Sequence, residues 1–351
     1  MSQPVRFVVT PQQPSNMQAY DQERRKKRMM GLLSKGLPTL PHYLLDLNAM
    51  LSSPSVDLKK VGKVIRTDPS LTAQVLRLCN SALFGLRHRV ISIEQAAVLL
   101  GTERLRTLVL TCSLMQFAGK HVPMKSLVQF WQHSFLAALL SERIARQVDY
   151  PEREQAYLGG LMHDIGQLPL WMLVMEEQNR QRELPPEDWP DNLPVEREYF
   201  GTDHGKVGRW MAVAWNFMPS FMDVFEHHHN PENAQHDPYL VGIVSAADQF
   251  LKAQDSVQAE TPESGESPER AAVANPPLAP MEGDGLSFLL QCFPLLSDED
   301  RHGILGTLQT EYIHVLPLVQ LGLSFFTPET GGGQTSVQER KREENTSLDR
   351  G

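Results

Sequence analysis

Apolar residues recur at intervals of three and four along most of the chain, and no stretch alternates convincingly with period two. The pattern predicts an all-α protein. Order is expected to begin near Leu37-Pro38-Thr39-Leu40-Pro41, where the prolines fix the approach to a helix carrying Leu44, Leu45, Leu47 and Met50. Leu58, Val61, Val64 and Ile65 repeat at helical spacing. Asp68-Pro69 then reads as a helix start, with Asp as N-cap and Pro in the first turn, ahead of a stripe of Leu71, Val75, Leu78 and Cys79. Gly85 is expected to break that helix. Ser92-Ile93-Glu94-Gln95 has the form of a capping box and opens a helix through Ala96, Leu99 and Leu100 that stops at Gly101. Leu105, Leu108, Val109 and Cys112 begin the next.

From about Leu127 the helical pattern continues, but polar groups stand on its apolar stripes. His133 shares a face with Ala137, Leu140, Ile144 and Val148. His163 follows Ala156 and Gly160, whose small size lets another helix approach, and Asp164 comes next in Gly159-Gly160-Leu161-Met162-His163-Asp164-Ile165-Gly166. His204 lies with Val207, Gly208, Met211 and Trp215 behind a cap at Thr202 or Asp203. His228, with His229 beside it, ends the stripe of Phe221, Val224 and Phe225. Asp248 lies with Val241, Val244 and Leu251.

Each of these residues alone reads as a satisfied core histidine or a helix-capping aspartate. Together they need several partners, because buried polar groups must be hydrogen-bonded and an ionised carboxylate is costly to bury alone. A shared cation would satisfy most of them. Imidazole and carboxylate ligands without thiolate suit Fe, Mn, Mg or Zn. His121, His227, His236 and His302 fall outside the set and are expected at the surface or behind the ligands.

Composition changes this picture little. The chain has 351 residues, 41% hydrophobic and 21% charged, as in globular domains. A net charge of -9 argues against general nucleic-acid binding. Cys79, Cys112 and Cys292 form no disulfide framework and fit core roles in a reduced compartment. With no apolar leader and no span long enough for a bilayer, the expected location is the cytoplasm. Arg24 to Arg28 is basic; it reads as the solvated start of a helix or, alternatively, as a patch for an acidic partner or membrane.

The blocks Leu37-Pro38-Thr39-Leu40-Pro41, Asp68-Pro69-Ser70-Leu71-Thr72, Asn80-Ser81-Ala82-Leu83-Phe84-Gly85 and Ile93 to Ala96, followed by Leu100-Gly101, resemble the bacterial HDOD domain. That family is an all-helical relative of the HD metal-dependent phosphohydrolases and is usually a signalling output module. The resemblance covers roughly Gly31 to Leu251 and implies a helical bundle in two halves, while composition predicts disordered termini and an acidic linker. Its expected organisation is a disordered basic arm over 1–30 and an HDOD domain over 31–251, divided into halves 31–126 and 127–251. A disordered linker over 252–284, C-terminal helices over 285–326 and a disordered tail over 327–351 complete it.

By the same resemblance, His133, His163, Asp164, His204, His228, His229 and Asp248 match the HD superfamily's metal positions, for one or two divalent ions. An alternative is a site without metal, held by hydrogen bonds. Gln167 stands where the phosphodiesterase branch has Lys, and Asn230-Pro231-Glu232 where it has Gly-Tyr-Pro. The implied function is signal transduction through contacts with a protein partner, with the metal site retained and a nucleotide as a conceivable ligand. No receiver, kinase or GGDEF-like pattern is visible, so input would come from a partner or ligand. The rival is a metal-dependent phosphohydrolase, in which Asp164 has the catalytic part of holding and orienting the attacking water.

Overall fold

The computed structural model describes residues 22–31, 57–81, 84–119, 122–187, 189–215, 217–260, 289, 292–293 and 296–324. The expectations for Leu37 to Met50, His121, residues 261–284 and the tail from Thr327 lie outside them. Among the described residues there are helices and no strand, as the three-to-four spacing requires.

The first helix, α1, covers residues 22–31. Most of the arm expected to be disordered up to residue 30 is undescribed, but this stretch is helical, with Met29 buried. Its basic cluster is used within the chain. The Arg25 guanidinium stacks 3.8 Å from the Tyr199 ring centre and donates to the Tyr199 carbonyl at 3.1 Å. Arg28 pairs with Glu176 and Glu177.

The N-terminal half follows as α2 (Leu58–Ile65), α3 (Pro69–Cys79), α4 (Ile93–Leu100) and α5 (Thr102–Ala118). Its starts are the ones the sequence encodes. Asp68 accepts the Leu71 amide at 2.9 Å and Ser92 accepts the Gln95 amide at 3.1 Å. The Gln95 side chain accepts the amide of Ile91, one residue further back than in a standard capping box. Gly85 does not end α3. The helix stops at Cys79, capped by Asn80, and Gly85 lies in the following loop at φ +54°. The Asn80 side chain ties that loop down by donating to the carbonyls of Leu76 and Val90 and accepting the Val90 amide at 2.7 Å.

The second half is α6 (Met124–Gln147), α7 (Arg153–Met162), α8 (Gln167–Asn179), α9 (Leu193–Phe200), α10 (His204–Ala214), α11 (Pro219–His227) and α12 (Pro238–Glu260), with a 3-10 turn at Pro231–Asn233. The aromatic core of Trp131, Phe135, Phe200, Phe221, Phe225 and Phe250 lies here. Gly160 sets the crossing of α6 and α7. A Cβ on it would sit 2.6 Å from the Ala137 carbonyl oxygen, so any larger residue would push the helices apart. Helix α12 runs to Glu260, so residues 252–260 are helical and the expected linker cannot begin at Lys252. The last helix, α13 (Asp298–Ser324), returns along α6, with Tyr312 edge-on to Phe250 and Arg143 paired to Glu311 at 3.2 Å.

Candidate metal centre

All seven sequence-predicted site residues meet in one place. His133 comes from α6, His163 and Asp164 from the turn between α7 and α8, His204 from the first position of α10, His228 and His229 from the end of α11, and Asp248 from α12. Asp203 places His204 by capping α10, accepting the Lys206 amide at 3.0 Å. Gly166 lets the His163-Asp164 turn touch the same helix. A Cβ there would lie 1.9 Å from the His204 carbonyl oxygen and 2.6 Å from the Gly208 nitrogen.

Two groups of donor atoms result, each within 4.8 Å: His133, His163 and Asp248, and Asp164, His204, His228 and His229. In the first, the His133 Nε2 is 3.3 Å from the His163 Nε2 and 3.1 Å from the Asp248 Oδ1. Asp164 lies between the groups. Its Oδ2 is 3.5 Å from the His163 Nε2, and its Oδ1 is 3.3 Å from the Nε2 atoms of both His204 and His228.

The outer nitrogens fix the rings. The His163 Nδ1 donates to the Gly160 carbonyl at 2.7 Å. The His228 Nδ1 donates to the carbonyls of Val224 and Phe225 at 3.0 and 3.2 Å. The His204 Nδ1 donates to the Glu196 carboxylate at 2.9 Å. In the neutral ring each donation leaves the lone pair on Nε2, aimed at the centre, which is how a protein presents imidazole to a metal. The Asp164 Oδ1 is buried and makes no hydrogen bond. A buried carboxylate oxygen in that state is unfavourable unless a cation faces it, so the donor set fits a divalent ion of the Fe, Mn, Mg or Zn class.

The carboxylates set the electrostatics of the centre, holding the charged form of His133 and His204. Burial works to raise the Asp164 pKa, yet the neighbouring imidazoles of His163, His204 and His228 hold it well below the usual carboxylate range. Burial opposes the charged form of His133, but Asp248 and Asp164 push it up to about 9. Burial and the neighbouring His229 bring His228 down to about 3, keeping that ring neutral.

Three participants were not identified in the sequence. Glu196 and Lys252 stand on inward faces, Glu196 one turn before Phe200 and Lys252 one turn after Asp248, so the same stripe argument would have found them. Asp191 follows Pro190 in a loop, at φ +62°, and carries no periodic signal. Its Oδ1 lies 3.3 Å from the His229 Nε2. Gln167, where a Lys stands in the phosphodiesterase branch, donates to the Asp164 Oδ2 at 2.8 Å. Among the outlying histidines, His236 faces Asp223 at 3.1 Å and His302 is exposed. A cavity of about 540 Å3 opens onto the centre past Gln129, Gln132, Trp171 and Lys252.

The fold is shared with solved proteins. An HDOD domain protein of unknown function from Geobacter sulfurreducens superposes with a TM-score of 0.59 at 22% identity, covering 86% of this chain and 98% of that one. A Shewanella amazonensis SB2B protein, provisionally named a phosphohydrolase, superposes with a TM-score of 0.57 at 23% identity, covering 84% and 97%. At these identities the likeness is one of fold. By sequence, an uncharacterised protein of Treponema pallidum (strain Nichols) is 23% identical over 257 residues, 71% of this chain and 48% of that protein. YuxH, an uncharacterised protein of Bacillus subtilis (strain 168), is 29% identical over 139 residues, 39% of this chain and 32% of YuxH. The chain therefore spans about half the length of the first relative and about a third of the second. The HDOD domain model matches residues 37–231, more than half of the chain, and the chain belongs to the HDOD family.

Proposed function

We propose that this HDOD protein is a regulatory module that holds a divalent metal and signals through contacts with a protein partner. The observation that carries the metal centre is the convergence of imidazole Nε2 atoms on the two oxygens of a buried Asp164, one of them without a hydrogen bond. His133, His163, Asp164, His204, His228, His229 and Asp248 are the candidate ligands. The partner surface is expected on the N-terminal half, where Ile91 and Val98 are 77% and 74% exposed beside the half-exposed Leu99. The apolar face of α13 is covered by its own chain, so that helix is the weaker candidate.

A second reading, a metal-dependent phosphohydrolase, draws on the cavity. Its walls could take a ligand, with Lys252 and the amides of Gln129, Gln132 and Gln167 positioned for polar contacts. A bound dication would lower the pKa of a water and stabilise phosphate charge. Asp164 would position that water.

Metal content of the purified protein, compared with a His163→Ala/Asp164→Ala variant, tests the centre. Hydrolysis of bis(p-nitrophenyl) phosphate with added Mn2+ tests turnover. Stoichiometric metal that the variant loses, without hydrolysis, is the expected result. Hydrolysis abolished in the variant would establish the second reading instead, and wild-type protein without metal after loading would remove the centre from both.

A further inference from the structure

A groove of about 750 Å3 lies in the N-terminal half, between α3 and the irregular stretch that follows it. One wall is a single face of α3, with Ala73, Leu76, Arg77 and Asn80 at helical spacing. The other wall carries Leu86, His88, Arg89 and Ile91. The Asn80 side chain ties the two together through its bonds to the Val90 amide and carbonyl. Leu76 and Leu86 are half-buried, whereas Arg77, His88, Arg89 and Ile91 are exposed. Among the described residues no carboxylate lines the groove, although the chain carries a net charge of -9. Apolar side chains and exposed cationic groups thus share one concavity, with no anion among them.

A concavity takes a protruding side chain, which the surface of a bilayer does not offer. The Val90 amide is bound by Asn80 and the Ile91 amide by Gln95 at 3.0 Å, so neither is free to pair with a guest strand. Recognition therefore falls to side chains: apolar contact on Leu76, Leu86 and Ile91, and carboxylates for the forked guanidinium groups of Arg77 and Arg89. Beyond Ile91 the surface continues on the outer face of α4, where Gln95, Val98 and Leu99 follow at helical spacing and the two apolar residues are exposed. That run is longer than a small anion needs and suits a length of chain. On the reading that this module signals through a protein contact, we infer that the groove docks an acidic segment of the partner. An apolar side chain of that segment sits among Leu76, Leu86 and Ile91, and carboxylates beside it pair with Arg77 and Arg89.

The test selects peptides from a random library displayed on phage against the immobilised full-length protein, and measures the enriched peptides by fluorescence polarisation. Peptides rich in Asp and Glu around a Leu, Ile or Phe are expected, with affinity that falls as NaCl rises. Arg77→Gln/Arg89→Gln is expected to weaken them about tenfold or more, with metal content and the helical circular dichroism signal at the wild-type level. Ile91→Ser, which leaves both arginines in place, is expected to weaken them about fivefold. Enriched peptides that are neutral or basic, or acidic ones that bind both variants as tightly as wild type, would overturn the inference and leave a protein contact elsewhere on the module. Absence of enriched peptides, with wild type but not Arg77→Gln/Arg89→Gln cosedimenting with phosphatidylglycerol–phosphatidylcholine vesicles, would overturn it together with the protein-contact reading. Neither enrichment nor cosedimentation would overturn the inference alone, because a partner recognised through a folded surface would remain.

Discussion

In the half built from α2 to α5, buried polar side chains find partners within their own helix or just beyond its end. The Thr111 and Ser113 hydroxyls donate to the carbonyls of Thr107 and Val109 at 2.8 and 2.7 Å, and Ser81 donates to Leu78 at 2.7 Å. In the half built from α6 to α12, the buried polar groups include the imidazoles and carboxylates of the centre, whose functional ends meet partners from other helices. Asp164 alone gathers rings from α10 and the end of α11. A hydroxyl can return its proton to the preceding turn. A carboxylate has no such local option in a helix interior, so burying it commits several elements to one arrangement. The same helical spacing thus builds a self-satisfied support in one half and a convergent pocket in the other.

Gly166→Ala tests this contrast most severely. The added carbon meets backbone atoms of α10 rather than a movable side chain, and a loss of about 3 kcal/mol in urea unfolding is expected. A change below about 0.5 kcal/mol would mean that the turn and α10 are not locked together. Glu196→Gln keeps the shape of the side chain but weakens the acceptor that orients His204. Metal affinity measured by titration calorimetry is expected to fall about 10- to 100-fold, with the helical circular dichroism signal retained. Unchanged affinity would take His204 out of the ligand set. Asn80→Ala removes the partners of the buried Val90 amide and carbonyl, and a cost of about 1 to 2 kcal/mol is expected. Metal content should not change. A parallel loss of metal would show that the two halves are coupled and that the contrast between them is too simple.

The sequence determined the helical class, the capped starts at Asp68 and Ser92, a cap at Thr202 or Asp203, and the inward faces of His133, His204, His228 and Asp248. Those features depend on spacing within one helix, which the order of residues records directly. Glu196 and Lys252 were legible by the same rule. Tertiary structure alone decided that α1 spends its arginines on Tyr199, Glu176 and Glu177, that α12 continues to Glu260, and that Asp191 enters the centre from a loop. It also decided the tautomers: which nitrogen of each ring faces the centre depends on a carbonyl or carboxylate brought in by folding, and distance along the chain carries no record of that meeting.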